Sequence, residues 1–289
     1  MSAFDIRILG AGDEPRLEAF FADNPDLTLF QRSNLRHAGA IDDGRRYGGT
    51  YAAALVNDEV VGVVAHYWNG NVMPLVPSGG HDVRVLLDAA LAASGRKIVG
   101  VVGSWDQVAA TLMHPTVRGR IAKRCAREIL FALPLTELVV PQALSAGDIT
   151  VRSMGDDDLP LLAAWRVEYL VEMFDLPRTA TTWDVAAQDV AALHAEGRAW
   201  VVEAQGRPVA FTGFNAALPD VVQVGGVYTP PFGRARGFAR VAVAGSLLRA
   251  RQAGADRAVL FTDVSNNAAQ RAYRALGFEP IDDWGLVRF

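Results

Sequence analysis

The stretch Arg234-Ala235-Arg236-Gly237-Phe238-Ala239 has the residue types and spacing to hold an anionic ligand. It follows Val227, Tyr228 and Thr229, which are strand formers, and Pro230-Pro231, which have no N–H for a ladder and end the strand. After Ala239 the pattern turns helical, so a turn at a helix N-terminus is predicted. There the backbone N–H groups from Arg234 to Ala239 lack intrahelical partners and the helix dipole adds partial positive charge, an arrangement suited to a pyrophosphate. Small residues at Ala235, Gly237 and Ala239 permit close approach. Arg234, Arg236 and Arg240 add local positive charge, and equally fit a solvated basic turn. Upstream, Gly225-Gly226 inside the strand marks a bulge or the close approach of another backbone; a plain kink is the alternative.

The chain that must position this stretch has 289 residues, enough for two ordinary domains or one large α/β domain. Hydrophobic residues make up 51% and charged residues 21%, with no low-complexity block, so the whole chain is expected to fold. A net charge of −4 argues against a nucleic-acid backbone as partner. The single cysteine, Cys125, excludes an intrachain disulfide and a multi-cysteine metal site, and reads as a buried, inert thiol in a reducing compartment. Neither a signal-like start nor an apolar run of bilayer length is present, so the expectation is a cytoplasmic protein without membrane association.

The first half opens with a strand at Ile6 to Ile8, a turn at Gly12 to Pro15 and a helix carrying Leu17, Phe20 and Phe21. A hairpin follows at Tyr51 to Tyr67, turning at Asn57-Asp58-Glu59. Val72 to Val76 is a third strand, Asp82 to Ala93 a helix with Val85, Leu86 and Ala89 inward, Ile98 to Val102 a strand and Trp105 to Leu112 a short helix. Glu137 to Pro141 reads as a further strand. After the polar bridge Gln142 to Asp148 the pattern repeats. Ile149 to Arg152, Asp156-Asp157-Asp158 and the helix of Leu161, Leu162, Trp165 and Tyr169 echo the opening, and Ala199 to Phe214 echoes the hairpin. The offset is roughly 145 to 148 residues, the mark of a duplicated domain rather than a solenoid. The second copy continues with a strand at Val221 to Thr229, a helix at Gly237 to Ala253, a strand at Val259 to Thr262, a helix at Asn266 to Leu276 closed by Gly277, and strand residues from Phe278 and from Leu286 to Phe289.

Two ordered blocks resemble the GCN5-related N-acetyltransferase (GNAT) superfamily. Arg234-Ala235-Arg236-Gly237-Phe238-Ala239 meets the family's Gln/Arg-x-x-Gly-x-Gly/Ala signature. About 27 residues later, Asn266 through Tyr273 to Gly277-Phe278 is similar to its second block. The resemblance covers residues 149–289 well and the first half only in outline. It implies an α/β fold of two tandem GNAT-like domains, each a mixed, mostly antiparallel sheet flanked by helices: residues 1–143 a degenerate copy, residues 148–289 the catalytic one. Near Val76 to Arg84 the first copy keeps glycines but lacks the signature spacing, so acetyl-CoA is expected in the second copy alone.

By resemblance, the pantetheine arm of acetyl-CoA pairs with Val227, Tyr228 and Thr229, and an N–H at or near Val227 polarises the thioester carbonyl. Arg234, Ala235, Arg236, Gly237, Phe238 and Ala239 cradle the pyrophosphate. Ala235, where many members have Gly, is compatible if its φ is negative. Tyr273 is the implied general acid for the departing thiolate; a buried core tyrosine, sharing a face with Ala269 and Leu276, is the alternative. Ala269 belongs to the implied cofactor contacts. Asn266 bonds the cofactor arm, or only caps its helix. For the base, Glu172 is the implied residue, beside Glu168, Asp175 and water; a solvated acidic face is the alternative. His194 reads as surface, and Phe174, Trp183 and Phe214 as acceptor pocket or core. The implied reaction is direct acetyl transfer to a primary amine of a small or amino-acid-like acceptor, with no metal. A non-catalytic acyl-CoA sensor is the alternative. The first copy would be a remnant, a cover for the acceptor site, or the surface of a homodimer.

Overall fold

A computed structural model describes residues 5–77 and 83–289. The first copy's counterpart of the phosphate loop, expected near Val76 to Arg84, falls largely on residues 78–82, outside the described residues. The chain forms two compact units, Met1–Leu130 with Phe261–Ser265 and Pro280–Phe289, and Phe131–Leu260 with Asn266–Glu279.

In the first unit β1 (Asp5–Leu9) leads to α1 (Glu14–Ala22) and α2 (Pro25–Ala38), then the hairpin β2 (Gly49–Val56) and β3 (Glu59–Tyr67). After these come β4 (Asn71–Leu75), α3 (Val83–Ser94), β5 (Gly100–Ser104) and α4 (Trp105–Leu112). Strand β6 (Arg124–Pro134) runs across the boundary into a 3-10 turn, Leu135–Glu137, and α5 (Gln142–Ser145). The second unit contains β7 (Ile149–Ser153), α6 (Leu159–Phe174), α7 (Ala180–Ala195), β8 (Ala199–Ala204), β9 (Arg207–Ala217), β10 (Val221–Tyr228), α8 (Phe238–Gln252), β11 (Arg257–Asp263) and α9 (Asn267–Arg274). Strand β12 (Glu279–Arg288) returns to the first unit. None of the described helices is long and apolar enough to cross a membrane.

Each unit repeats one pairing scheme. In the first, β1-β2-β3-β4 is antiparallel and β4 pairs parallel with β5. In the second, β7-β8-β9-β10 is antiparallel and β10 pairs parallel with β11. The parallel pair follows from the helix that connects its strands, which carries the chain back to the starting edge before the next strand begins. The copies read at 1–143 and 148–289 differ from the two units in three places: residues 131–143 group with the second unit, while Phe261–Ser265 and most of β12 group with the first. It pairs antiparallel with β5, from Trp284↔Ser104 to Arg288↔Gly100.

Helix α3 buries Leu86, Leu87 and Ala90 against Val64, Val72 and Val101, while Val85 faces outward, one position off the face expected from sequence. In the second unit Leu162 and Trp165 of α6 pack with Val201 and Phe211 on one face of the sheet. Phe238, Val241 and Ala242 of α8 pack with Val202 and Ala210 on the other. Gly245 lets α8 sit close to β7, since a Cβ there would lie 2.5 Å from Val151 Cγ2.

Two expectations are corrected. Glu137 to Pro141 is not a strand; the strand is β6, directly before it, and Pro141 has no N–H to give a ladder. Cys125 is exposed rather than buried, because β6 alternates and Cys125 points outward between half-buried Arg124 and buried Ala126.

Candidate active site

The second unit's β10 is irregular in the place where its sequence has two glycines. Its ladder with β9 shifts register between Gly225 and Tyr228, pairing Gly225 with Gly213 but Tyr228 with Phe211. The glycines serve separate needs. A Cβ on Gly225 would lie 2.0 Å from Asn215 Nδ2, and Gly226 has φ +60°, a conformation that side chains disfavour. On its other edge β10 pairs with β11 only from Val221↔Arg257 to Gln223↔Val259, although β10 itself continues to Tyr228. From Val224 onward that edge is not paired with β11, which is the opening an added extended chain would use.

The turn after β10 contains a 3-10 segment, Pro231–Gly233, and ends at Gly237, the N-cap of α8 with φ +81°. Arg234 N–H donates to the Pro231 carbonyl at 3.3 Å. Beyond it, the N–H groups of Ala235, Arg236, Gly237, Phe238, Ala239 and Arg240 meet no hydrogen-bond acceptor among the described residues; the first helical bond is Val241 N–H to the Gly237 carbonyl, 3.2 Å. Phe238 anchors the turn, its side chain buried beneath the Arg236 guanidinium, 5.0 Å above the ring. Beside the turn lies a cavity of about 310 Å³ lined by Val140, Pro141, Ile149, Arg236, Arg240 and Ala275, among others.

Ala235 departs from expectation. Its φ is +60°, not negative, so this alanine occupies the left-handed region that glycine fills without strain. Replacing Ala235 with Gly is expected to stabilise the protein by about 0.5–1 kcal/mol, since relief of that strain outweighs the entropy glycine adds to the unfolded chain. Thermal unfolding checks it; a lower melting temperature would contradict the backbone conformation described.

Tyr273 is the last tyrosine before the α9 terminus and is 9% exposed, its ring meeting the edges of Phe131 and Phe278 at 6.3 and 6.1 Å between centroids. Asn266 caps α9: its side-chain oxygen accepts from Ala269 N–H at 3.1 Å. Gly277 closes the element with φ +97°, and a Cβ there would come 3.0 Å from the Glu137 carbonyl.

An open strand edge, a turn of unpaired donors and a short capped helix follow one another here in the order of the two sequence blocks. The sequence profile of the acetyltransferase (GNAT) family matches residues 162–278. Residues 162–278 are a GNAT acetyltransferase domain. Solved structures extend the likeness in fold to the whole chain. A tandem GNAT protein from the clavulanic acid biosynthesis pathway is 13% identical, with TM-score 0.60 over 99% of this chain and 98% of that one. A GCN5-related N-acetyltransferase from Sphaerobacter thermophilus is 15% identical, with TM-score 0.59 over 99% and 95%. A GNAT-family acetyltransferase from Colwellia psychrerythraea is 13% identical, with TM-score 0.57 over 99% and 100%. No curated protein matches the sequence. The fold is thus two tandem GNAT-like α/β domains, each a mixed sheet flanked by helices.

Within the GNAT domain the charged residues of α6 are already partnered. Glu172 accepts from Arg234 Nη2 on both oxygens, at 2.8 and 2.7 Å, and Arg234 Nε donates to the Thr229 carbonyl at 3.0 Å. Arg234 therefore ties the turn after β10 to α6 and to the end of β10, and the Glu172 hydrogen bond raises its pKa above the ordinary value. Burial, with Glu172 nearby, raises the Tyr228 phenol; that ring packs with Trp165 and Phe211 in the core. Glu168 is held below the usual carboxylate range by the Arg178 guanidinium, at 3.0 and 2.6 Å. Asp175 is the left-handed C-cap of α6, and His194 hydrogen-bonds Asp156 at 2.8 Å. Phe214 is buried against Trp200, Trp183 is nearly half exposed on α7, and Phe174 meets Tyr169.

A pair that the sequence analysis did not single out, Arg166 and Asp189, joins α6 to α7 next to Gly226. No spacing rule links residues on two different helices, so nothing in the sequence marks them.

Proposed function

We propose that the chain transfers the acetyl group of acetyl-CoA to a primary amine of a small, amino-acid-like acceptor, with its site in residues 148–289. The observation that carries this reading is the run of unpaired N–H groups from Ala235 to Arg240, directly beyond a strand edge that β11 leaves open. Donors gathered in the turn and at the helix start fit a pyrophosphate. The open edge at Val227 and Tyr228 fits the amides of a pantetheine arm, next to Thr229, whose carbonyl is held by Arg234 Nε, and the adjoining cavity, with Arg236 and Arg240 in its wall, fits the nucleotide end.

Acetyl-CoA supplies a thioester reactive towards amines. The chain's residues orient it and manage protons. Gly226 leaves the β10 backbone accessible at the bulge, where an N–H at or near Val227 polarises the acyl oxygen. Asn266 and Ala269 set the start of α9, which carries Tyr273 as general acid for the sulfur. Glu172 latches the turn through Arg234, and with its oxygens so occupied the amine proton leaves through water.

The first unit has a comparable parting of β4 from β5 after Val72↔Val101. There the Gln107 carboxamide accepts from Val76 N–H at 3.0 Å and donates to the Val76 carbonyl at 2.8 Å, so those backbone groups are taken. Calorimetric titration with acetyl-CoA is expected to give one site per chain. Two sites would show a competent first copy, and none would overturn the proposal.

A further inference from the structure

We infer that Arg166 selects acceptors whose amine stands next to a carboxylate, as in an α-amino acid; this rests on the acetyl-transfer reading above. Arg166 lies on α6, and its guanidinium is held from two sides. Nε and Nη2 donate to Asp189 Oδ2 at 3.2 and 2.9 Å, and the plane lies over the Tyr169 ring, 4.8 Å from its centroid. Nη1 meets no hydrogen-bond acceptor among the described residues. It faces Gly226: a Cβ built on that glycine would lie 3.1 Å from Nη1. The side chain is 15% exposed.

A guanidinium has two edges that can grip a carboxylate in parallel. Asp189 uses the side of Nε and Nη2, which leaves the end formed by Nη1 and Nη2. That end points at the β10 bulge, where the proposed function places the reacting acyl group. In an α-amino acid the nitrogen and the carboxylate carbon share one carbon atom, so a carboxylate gripped at Nη1 holds the amine beside the bulge. Gly226 is needed twice, for its φ of +60° and because any side chain would press on Nη1. Asp189 fixes the fork in place and is a positioning residue.

The test is steady-state acetylation of matched pairs, each an α-amino acid and the amine left when its carboxylate is removed, with acetyl-CoA affinity measured separately by calorimetry. The wild type is expected to favour the carboxylate-bearing member. Arg166→Gln should raise KM for that member about 10- to 100-fold, the range lost with a charged hydrogen bond, and leave KM for its partner within about twofold. Acetyl-CoA affinity should not change. Arg166→Lys should recover part of the loss and serves if the glutamine variant fails to fold; Asp189→Asn should raise the same KM by less. An equal fall in kcat for both members would instead make Arg166 a donor to the acyl oxygen and overturn the inference. So would preference for the carboxylate-free amines, or no turnover of any carboxylate-bearing amine by a chain that binds acetyl-CoA. Failure of the wild type to bind acetyl-CoA would overturn this inference and the proposed function together.

Discussion

Replacing Tyr273 with Phe should cut acetyl transfer by about 100-fold or more, the low end of what a positioned general acid contributes, while acetyl-CoA affinity stays within about twofold. The ring is what packs: it sits at the edges of Phe131 and Phe278 and is nearly buried, so phenylalanine keeps the contacts that hold α9. Only the phenol oxygen is lost, and with it the proton that the proposed mechanism gives to the departing sulfur. That need shrinks as the thiolate becomes stable in solution. The gap between wild type and variant should therefore narrow as pH rises past about 8.5, the ordinary thiol pKa. Initial rates across pH, beside a calorimetric titration, check both parts. An unchanged rate would remove Tyr273 from the mechanism and leave it a core residue.

Gly237→Asp should weaken acetyl-CoA binding by about 100-fold or more with the fold retained, because it sets a carboxylate among the donors proposed to hold a pyrophosphate. Two like charges about 4 Å apart near a protein surface repel by about 4 kcal/mol at an effective dielectric of 20, ample for that loss. The left-handed backbone strains any side chain here, but that strain is partly offset. Gly237 has φ +81°, aspartate enters the left-handed region more readily than most residues, and the position is a helix N-cap, where aspartate is favoured. Arg240 Nη2 lies 3.5 Å from where the new Cβ would stand and gives the carboxylate a partner. Titration and thermal unfolding of the same preparation separate the effects. Unaltered affinity would mean that residues 235–240 do not hold the phosphates.

Much of this site is legible in the sequence because its parts depend on local rules. Pro230-Pro231 ends β10, Gly237 begins α8, and Asn266 caps α9 with a side chain that reaches three residues ahead. Repetition of the opening pattern shows the duplication, because each copy uses the same strand pairing. Other features depend on distant partners and leave no local trace. Strand β6 carries no plain strand pattern in the sequence because Arg124, Arg127 and Glu128 interrupt its apolar residues. In the fold Glu128 is buried, its pKa raised by that burial, and Arg127 pairs with Asp283 far along the chain. The left-handed backbone at Ala235 is invisible to a rule that expects glycine there. Glu172 reads as a candidate base from its helix position, and only the fold shows both of its oxygens on Arg234.

Strand β12 also sets an order of assembly. β5 receives its antiparallel neighbour from residues 284–288, and every residue of the second unit precedes them in the chain. A ribosome that has made the whole of β1 to β5 has therefore not yet made what completes their unit. The early part must wait, with Val101 and Val102 exposed along one edge, until the second unit has emerged and had time to fold. Pairing across so long an interval is slow to nucleate, and an edge left open during synthesis is where chaperones or a second nascent chain would act.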